Sequence, residues 1–466
     1  MTAVKNPVSG ARRQRGAVLG LILVGYLLVL LDVSILMAAL PNIERDLRFS
    51  ATALSWTQNA YTLAFGGLLL VGARAGDLFG RRRMFVLGIA LFATASLAVG
   101  LANSPAWMII ARAVQGVGAA ILAPATLALL STSFPEGQER TRAMAAYGAL
   151  AGIGTAAGLI LGGALTELLS WRVGFFLNVP VAAVAIIAAP RLLAESDRRA
   201  GRLQLGAAVA STTGALGLVF GVVHSADAGW SDPVTIATLT IGLVLIAAFL
   251  LSQRNASAPL LPLRLFADRQ RTGAYVARFL FNGALLSFYF FTTQYLQGAT
   301  GASPLQAGLA FLPATVASFA AATLTPPLMR RTSVSALAAV GCAVMLIGTA
   351  WLSRLSADTA YLTGIAAPMI LFGIGQGLGL STLTAAGMAK VASADAGAAG
   401  GLVNVAHHLG GAVGLGILVT VFEAAGAGTP TAEALIADRV AAALAAATVL
   451  LALALAAVLV TWPRRR

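Results

Sequence analysis

Asp32 lies in the stretch GYLLVLLDVSILMAALPNI (residues 25–43), with hydrocarbon side chains on both sides of it. A carboxyl group in such a place can take up and release a proton, with burial and nearby charge setting how tightly it is held. An ionised side chain at mid-bilayer costs about 3 kcal/mol or more, so an acid kept there marks a functional site by default. Of the seventeen acidic residues, Asp32 alone falls well inside an apolar segment; Asp77, Glu167 and Glu423 fall at segment ends. A partner is legible in ARAVQGVGAAILAP (111–124), where Arg112 and Gln115 are three apart and share a helical face. At 1.5 Å per residue, Asp32 and Arg112 lie roughly 13 Å and 10 Å from the same membrane face, so the two can meet. Gly116, Ala119 and Ala120 follow, small enough for another helix or a substrate to come near. The expected chemistry is proton carriage by Asp32, with Arg112 tuning its proton affinity. The alternative is a fixed pair that only ties two helices together.

The elements that must hold these groups are membrane helices. The 466 residues are 58% hydrophobic and 10% charged, with a mean hydropathy of +0.86, far too little charge to cover a soluble protein of this length. Spans of about 20 apolar residues are expected at 17–40, 52–73, 84–103, 106–132, 143–166, 173–193, 204–224, 233–252, 273–296, 305–329, 334–354, 361–389, 398–423 and 438–462, fourteen in all. The first is too long for a signal-peptide core and contains Asp32, which makes it a span and not a cleaved leader. With the N-terminus inside, 24 basic residues fall in inner segments and five in outer ones, while Arg112 and Arg278 fall within spans. That asymmetry is the positive-inside pattern. The net charge of +14 is thereby assigned to the membrane face and not to nucleic acid. Arginine-rich, alanine-rich composition points to a bacterial source, and so to the inner (cytoplasmic) membrane; the even span count with the charge asymmetry puts both termini in the cytoplasm.

The expected architecture is all-α and polytopic: a tail (1–16), a six-helix bundle (17–193), two linking helices (194–265), a second six-helix bundle (266–462) and a tail (463–466). Two bundles with a site between them at the midplane is a transporter architecture. Cys342 is the one cysteine, which excludes an intrachain disulfide or a Cys-based metal site. No Walker loop is possible, since Lys5 precedes Asn6 and Lys390 precedes Val391. Neither His-Glu-x-x-His nor Gly-x-Ser-x-Gly occurs, so an enzyme is not expected.

Two motifs carry a resemblance. VGARAGDLFGRRRMF (71–85) joins spans 2 and 3 with an acid (Asp77), a turn glycine (Gly80) and Arg81, Arg82 and Arg83, groups able to lock helix ends by charge-assisted hydrogen bonds. With ARAVQGVGAAILAP it resembles the loop and fourth-helix motifs of the major facilitator superfamily. LDVSILMAALPNI (31–43), WRVGFFLNVP (171–180), QYLQGATGASPLQAGLAFLP (294–313) and NVAHHLGGAVGLGIL (404–418) look like its fourteen-helix drug:proton antiporter branch (QacA/EmrB-like). The resemblance implies a major facilitator fold of two six-helix bundles plus two central helices, working by alternating access. GTAAGLILGG (154–163) keeps Gly154, Gly158 and Gly162, spaced for close helix approach. Leu159 stands where the branch's fifth-helix motif has proline, Ala73 and Ala75 depart from the loop motif, and His407 and His408 replace a polar pair.

The resemblance implies a proton-coupled drug or secondary-metabolite antiporter, powered by the proton gradient without a cofactor. An uncoupled facilitator or a proton-coupled importer is the rival reading. Candidate substrate contacts are Gln115, Tyr61 and Phe65 with Asn282, Phe288, Gln294, Tyr295 and His407; Gln294 and Tyr295 also fit an outer aromatic belt. Adjacent histidines point about 100° apart on a helix, so His407 and His408 make a poor metal site. Cation-selective pumps of the branch carry an extra acid in the second bundle; 305–329 has none, which favours neutral or weakly charged amphipathic substrates. The expected partners are that substrate, protons and the lipid bilayer, with no nucleic acid; oligomeric state is not fixed by the sequence.

Overall fold

A computed structural model describes residues 7–134, 138–196, 204–254, 256, 259–391, 396–426 and 431–461. All its regular elements are helical. In the first half these are α1 (Pro7–Leu47), α2 (Ala51–Phe79), α3 (Arg81–Gly100), α4 (Pro105–Ser133), α5 (Gln138–Leu168), α6 (Trp171–Phe176) and α7 (Asn178–Leu192). Next come α8 (Leu205–Ala228) and α9 (Pro233–Arg254). The second half has α10 (Arg269–Gln294), α11 (Pro304–Ala310), α12 (Leu312–Met329), α13 (Val334–Leu352), α14 (Ala367–Gly387), α15 (Ala396–Ala424) and α16 (Ala432–Thr461). π-helical turns extend α10 over Tyr295–Ala299 and precede α14 over Tyr361–Ala366. Of the expected N-terminal tail, residues 7–16 continue α1 outward and 1–6 lie outside the described residues; so does the C-terminal tail 463–466.

Thirteen helices among the described residues are long and apolar enough to cross a bilayer, with α6 and α7 counted as one, as are α11 and α12. α5, 31 residues long, stands at the remaining expected span. The protein is a multi-pass membrane protein. Lipid admits only helices or closed barrels, because every backbone N–H and C=O must be satisfied within the protein, and apolar runs of about 20 residues have the length of spanning helices. Local signals set the boundaries. Ser50, Ser104, Ser170, Ser303 and Ser333 each accept a backbone N–H as N-caps, and Pro105 and Pro304 occupy first-turn positions. Large apolar residues such as Ile110, Val184, Leu243 and Val316 stay exposed, as a lipid-facing surface requires.

α1 packs on α4 and α5, and α4 on α2 and α3; α10 packs on α15 and α16, and α14 on α12 and α13. α8 and α9 pair with each other, and α8 lies against α2 and α15. One apolar core, built on residues such as Tyr61, Phe85, Phe92 and Ala119, is confined to the first half and the end bearing the basic loops. The other runs continuously from Leu36, Leu40, Leu54 and Phe175 in the first half to Phe288, Phe311 and Phe372 in the second. The two halves therefore share a core at the end opposite the basic loops, and α2 also packs on α15 along their other seam. Polar contacts reinforce the join: Glu167 accepts from the Ser303 hydroxyl and from the Leu305 amide (3.1 Å), and Gln297 donates to the Ala38 carbonyl (2.8 Å).

At the basic end, Gly80 breaks the chain between α2 and α3 with φ 103°, a conformation open to glycine. Asp77 pairs with Arg81 across one helical turn (3.3 Å). The loop's main anchor is Glu195, just beyond α7. It accepts from the Arg82 amide (3.1 Å) and sits 3.5 Å and 3.7 Å from the Arg82 and Arg83 guanidinium groups. Ser196 accepts from the Arg81 amide (3.0 Å). The arginines are plain in the sequence; the acid that gathers them is more than a hundred residues away.

Candidate transport site

Asp32 and Arg112 meet. Asp32 sits near the middle of α1, 15 residues or about 23 Å from Leu47 where the helix ends. Arg112 sits in the second turn of α4. Its Nη1 donates to Asp32 Oδ2 (2.5 Å) and to Gln115 Oε1 (2.7 Å), and Gln115 Nε2 donates to Asp32 Oδ1 (2.6 Å). Its Nε donates to the Thr57 carbonyl on α2 (2.9 Å). Both carboxylate oxygens, the charge opposite them and the amide between them thus form one closed ring. Asp32, Arg112 and Gln115 are completely buried.

Three helices must come close for this ring to form, and small residues permit it. A Cβ at Gly116 would run into the Tyr61 carbonyl, which lets α4 lie directly on α2. α5 approaches α1 through glycines of the same kind: a Cβ on Gly158 would lie 2.5 Å from Ser34 Cβ, and one on Gly162 2.7 Å from Ile35 Cα. Gly154 faces Leu30 at 3.2 Å. The glycines therefore position the α1 segment that carries Asp32.

The site also holds idle hydrogen-bonding capacity. Tyr61 places its ring under the Arg112 guanidinium, 4.3 Å from centroid to Cζ, a cation–π contact. Among the described residues its hydroxyl has no partner, nor do Arg112 Nη2, Gln58 Oε1 and both side-chain polar atoms of Asn59. Unpaired buried polar atoms are costly, which makes this layer of α2 a candidate for contacts beyond the ring. Gln58 and Asn59, amides within an otherwise apolar segment, are the sequence signal for it, and the candidate set leaves them out.

Phe65 touches Tyr61 edge-on (5.8 Å) and lies 4.1 Å from the His408 ring across the gap between the halves. The histidine facing the first half is thus His408, while the candidate His407 turns towards α10. The His407 carbonyl accepts from Asn282 Nδ2 (2.6 Å), and its Nδ1 is buried without a partner. Phe288 stacks on Phe372 (3.7 Å) inside the second half. Tyr295 is completely buried, with its hydroxyl on the Ser356 carbonyl (2.7 Å), and Gln294 is buried beside it. These three belong to the packing of the second half, and neither Gln294 nor Tyr295 sits in an exposed aromatic belt. Asp32, Arg112, Gln115, Tyr61 and Phe65 form one cluster, while Asn282 and His407 form another across the interface.

Comparison with known proteins agrees with this architecture. The Major Facilitator Superfamily model matches residues 22–415. The cephamycin export protein CmcT of Amycolatopsis lactamdurans is 41% identical over 410 residues, 87% of this chain and 84% of the relative. The puromycin resistance protein pur8 of Streptomyces alboniger is 43% identical over 411 residues, 86% of this chain and 80% of the relative. Among solved structures, a bacterial homologue of the human lysosomal transporter Spinster, in an inward-facing and unoccupied conformation, superposes with a TM-score of 0.70 at 15% identity, covering 96% of this chain and 97% of that one. A single-residue mutant of the nucleoside transporter NupG superposes with a TM-score of 0.68 at 11% identity, covering 96% and 100%. The chain belongs to the Major Facilitator Superfamily.

Proposed function

We propose that the protein exports an amphipathic small molecule, an antibiotic or other secondary metabolite, in exchange for protons. It does so by alternating access in a bacterial inner membrane, with both termini in the cytoplasm. The export and resistance roles in the names of its relatives support the direction and the class of cargo. The observation that carries the coupling is the sealed Asp32–Arg112–Gln115 ring. Closed, the ring holds Asp32 as a carboxylate against a cation. Opening the site towards the proton-rich side lets Asp32 take up a proton, which removes its attraction for Arg112 and accompanies the release of cargo on that side. Opening towards the cytoplasm lets the proton leave, the ring re-forms, and the deprotonated carrier takes up cargo for the outward half of the cycle.

One proton falling through one pH unit and 100 mV yields roughly 3–4 kcal/mol, enough for a few-hundredfold concentration gradient. Leu159, in place of a proline, leaves α5 as one continuous helix. Its carbonyl lies against Gly308 of α11, so the contact between the halves forms without a kink. The test is drug accumulation in everted vesicles with and without a protonophore. Asp32→Asn is expected to remove proton-driven accumulation while the protein still inserts and folds. Accumulation unchanged in that variant would end the coupling role; equilibration without accumulation, indifferent to the protonophore, would favour a facilitator.

A further inference from the structure

The second half carries a buried cation that the coupling ring does not use. Arg278, on α10, is 8% exposed and lies nine residues, about 14 Å, inside the helix start. Nη1 donates to the Leu380 carbonyl (2.7 Å) and the Thr384 hydroxyl (3.2 Å) on α14. Nε is buried without a partner. Among the described residues Nη2 donates to nothing, and no carboxylate lies within ion-pair distance of the group. One face of Arg278 is therefore tied to α14, while the Nε–Nη2 edge is unspent. That edge presents two parallel N–H donors at the spacing of the two oxygens of a carboxylate.

Its surroundings repeat the pattern. Asn282 is one turn further along α10, and its Oδ1 is buried and unpaired; His407 Nδ1, on the facing α15, is in the same state. The two helices are pressed together, since a Cβ on Gly411 would lie 2.9 Å from Asn282 Nδ2. His408 follows, with its ring against Phe65 of the first half, which puts this polar group at the interface between the halves. The described acids of α10–α16 and their connections (Asp268, Asp358, Glu423, Glu433 and Asp438) lie at or near the helix ends, none beside Arg278. A buried cation lacking a counter-charge is expensive, and the described chain supplies none.

We propose that Arg278, with Asn282 and the His407–His408 pair, is the anchoring site for an anionic group, most simply a carboxylate, on the transported molecule. The proposal rests on the export reading and names its substrate class: amphipathic organic anions. It moves the expectation of a neutral cargo towards a negatively charged one. The Phe65–His408 contact would be the aromatic wall, and the guanidinium edge the charged end, of a site of mostly apolar lining with few polar groups.

The test is equilibrium binding to the purified full-length protein in nanodiscs of zwitterionic lipid, so that no acidic headgroup competes. The probes are radiolabelled naphthaleneacetate, its methyl ester, and the amine of the same size. The carboxylate is expected to bind saturably and at least about 10-fold tighter than either analogue. Arg278→Met should erase that preference, and Arg278→Lys should retain part of it. Size-exclusion profiles and the Lys variant separate a lost site from a lost fold. No saturable carboxylate binding, equal binding of ester or amine, or an undiminished preference in folded Arg278→Met would overturn the proposal. A protein that binds the carboxylate through Arg278 but protects no pump-deficient host against any compound would refute the export reading and leave the anion site standing.

Discussion

Each half of the molecule buries an arginine deep in a span, Arg112 and Arg278, and the two are treated oppositely. Arg112 spends Nε and Nη1 on a backbone carbonyl, a carboxylate and an amide, with an aromatic ring beneath it. Arg278 spends only Nη1, on a carbonyl and a hydroxyl, and faces no acid among the described residues. The first is a neutralised pair that is stable while closed. The second is an unneutralised charge whose cost a ligand would relieve. On the proposed export reading this divides the labour: one half would store the proton-sensitive switch, and the other would offer the charge that cargo must satisfy.

The largest effect expected from this difference is on stability. Arg112→Met strands Asp32 as an uncompensated buried acid and should cost about 3–5 kcal/mol, whereas Arg278→Met, which breaks no ion pair, should fall within about 1 kcal/mol of the parent or above it. Unfolding midpoints in detergent, with Asp32→Asn/Arg112→Met completing a double-mutant cycle, check both. An Arg278→Met loss as large as that of Arg112→Met would show that the second half hides a structural pair, and the contrast would fall.

A smaller effect should come from the helix that carries the switch. Gly158→Val drives methyl groups into Ser34, two residues from Asp32, and overpacking of this kind costs about 1–3 kcal/mol. Gly206→Val, facing open space, is the control and should cost nothing measurable. Proton-coupled uptake in vesicles should fall in the first variant, while carboxylate binding at Arg278 should not. Loss of both together would mean that the two centres are one.

The smallest effect concerns the tie between the halves. Glu167→Ala removes an exposed acceptor of two hydrogen bonds to the α11 start. With about 1 kcal/mol at stake, the open population should rise roughly fivefold. A cysteine placed at Gln297 reports this by its rate of thiol labelling, since Cys342 is buried and silent. An unchanged rate would show that the apolar core shared by the halves holds that end closed without help.

What can be seen in the sequence follows from the solvent. Hydrocarbon forbids stray charge and open backbone, so the helices, their approximate ends, the lone acid and both intramembrane arginines are visible as departures from an apolar pattern. The Asp32–Arg112 encounter is within reach of depth arithmetic, because a helix has a fixed rise. Lateral neighbours are not. Depth does not say which face of a helix meets which other helix. The sequence therefore points to His407 where His408 faces Phe65, offers Phe288 and Tyr295 as cavity wall when they fill the second half, and passes over Asn59.

The sequence by itself determined the fold class, the direction in which charge is distributed and the identity of the groups able to titrate or pair within the membrane. Only the tertiary structure decided which of those groups are satisfied. Hydrogen-bond partners such as the Thr57 carbonyl for Arg112, or Glu195 for the loop arginines, come from distant segments brought within about 3 Å by packing. Whether a buried cation meets an acid or waits for a ligand is therefore settled by how helices rotate and touch, a property of the assembled bundle that no local pattern encodes.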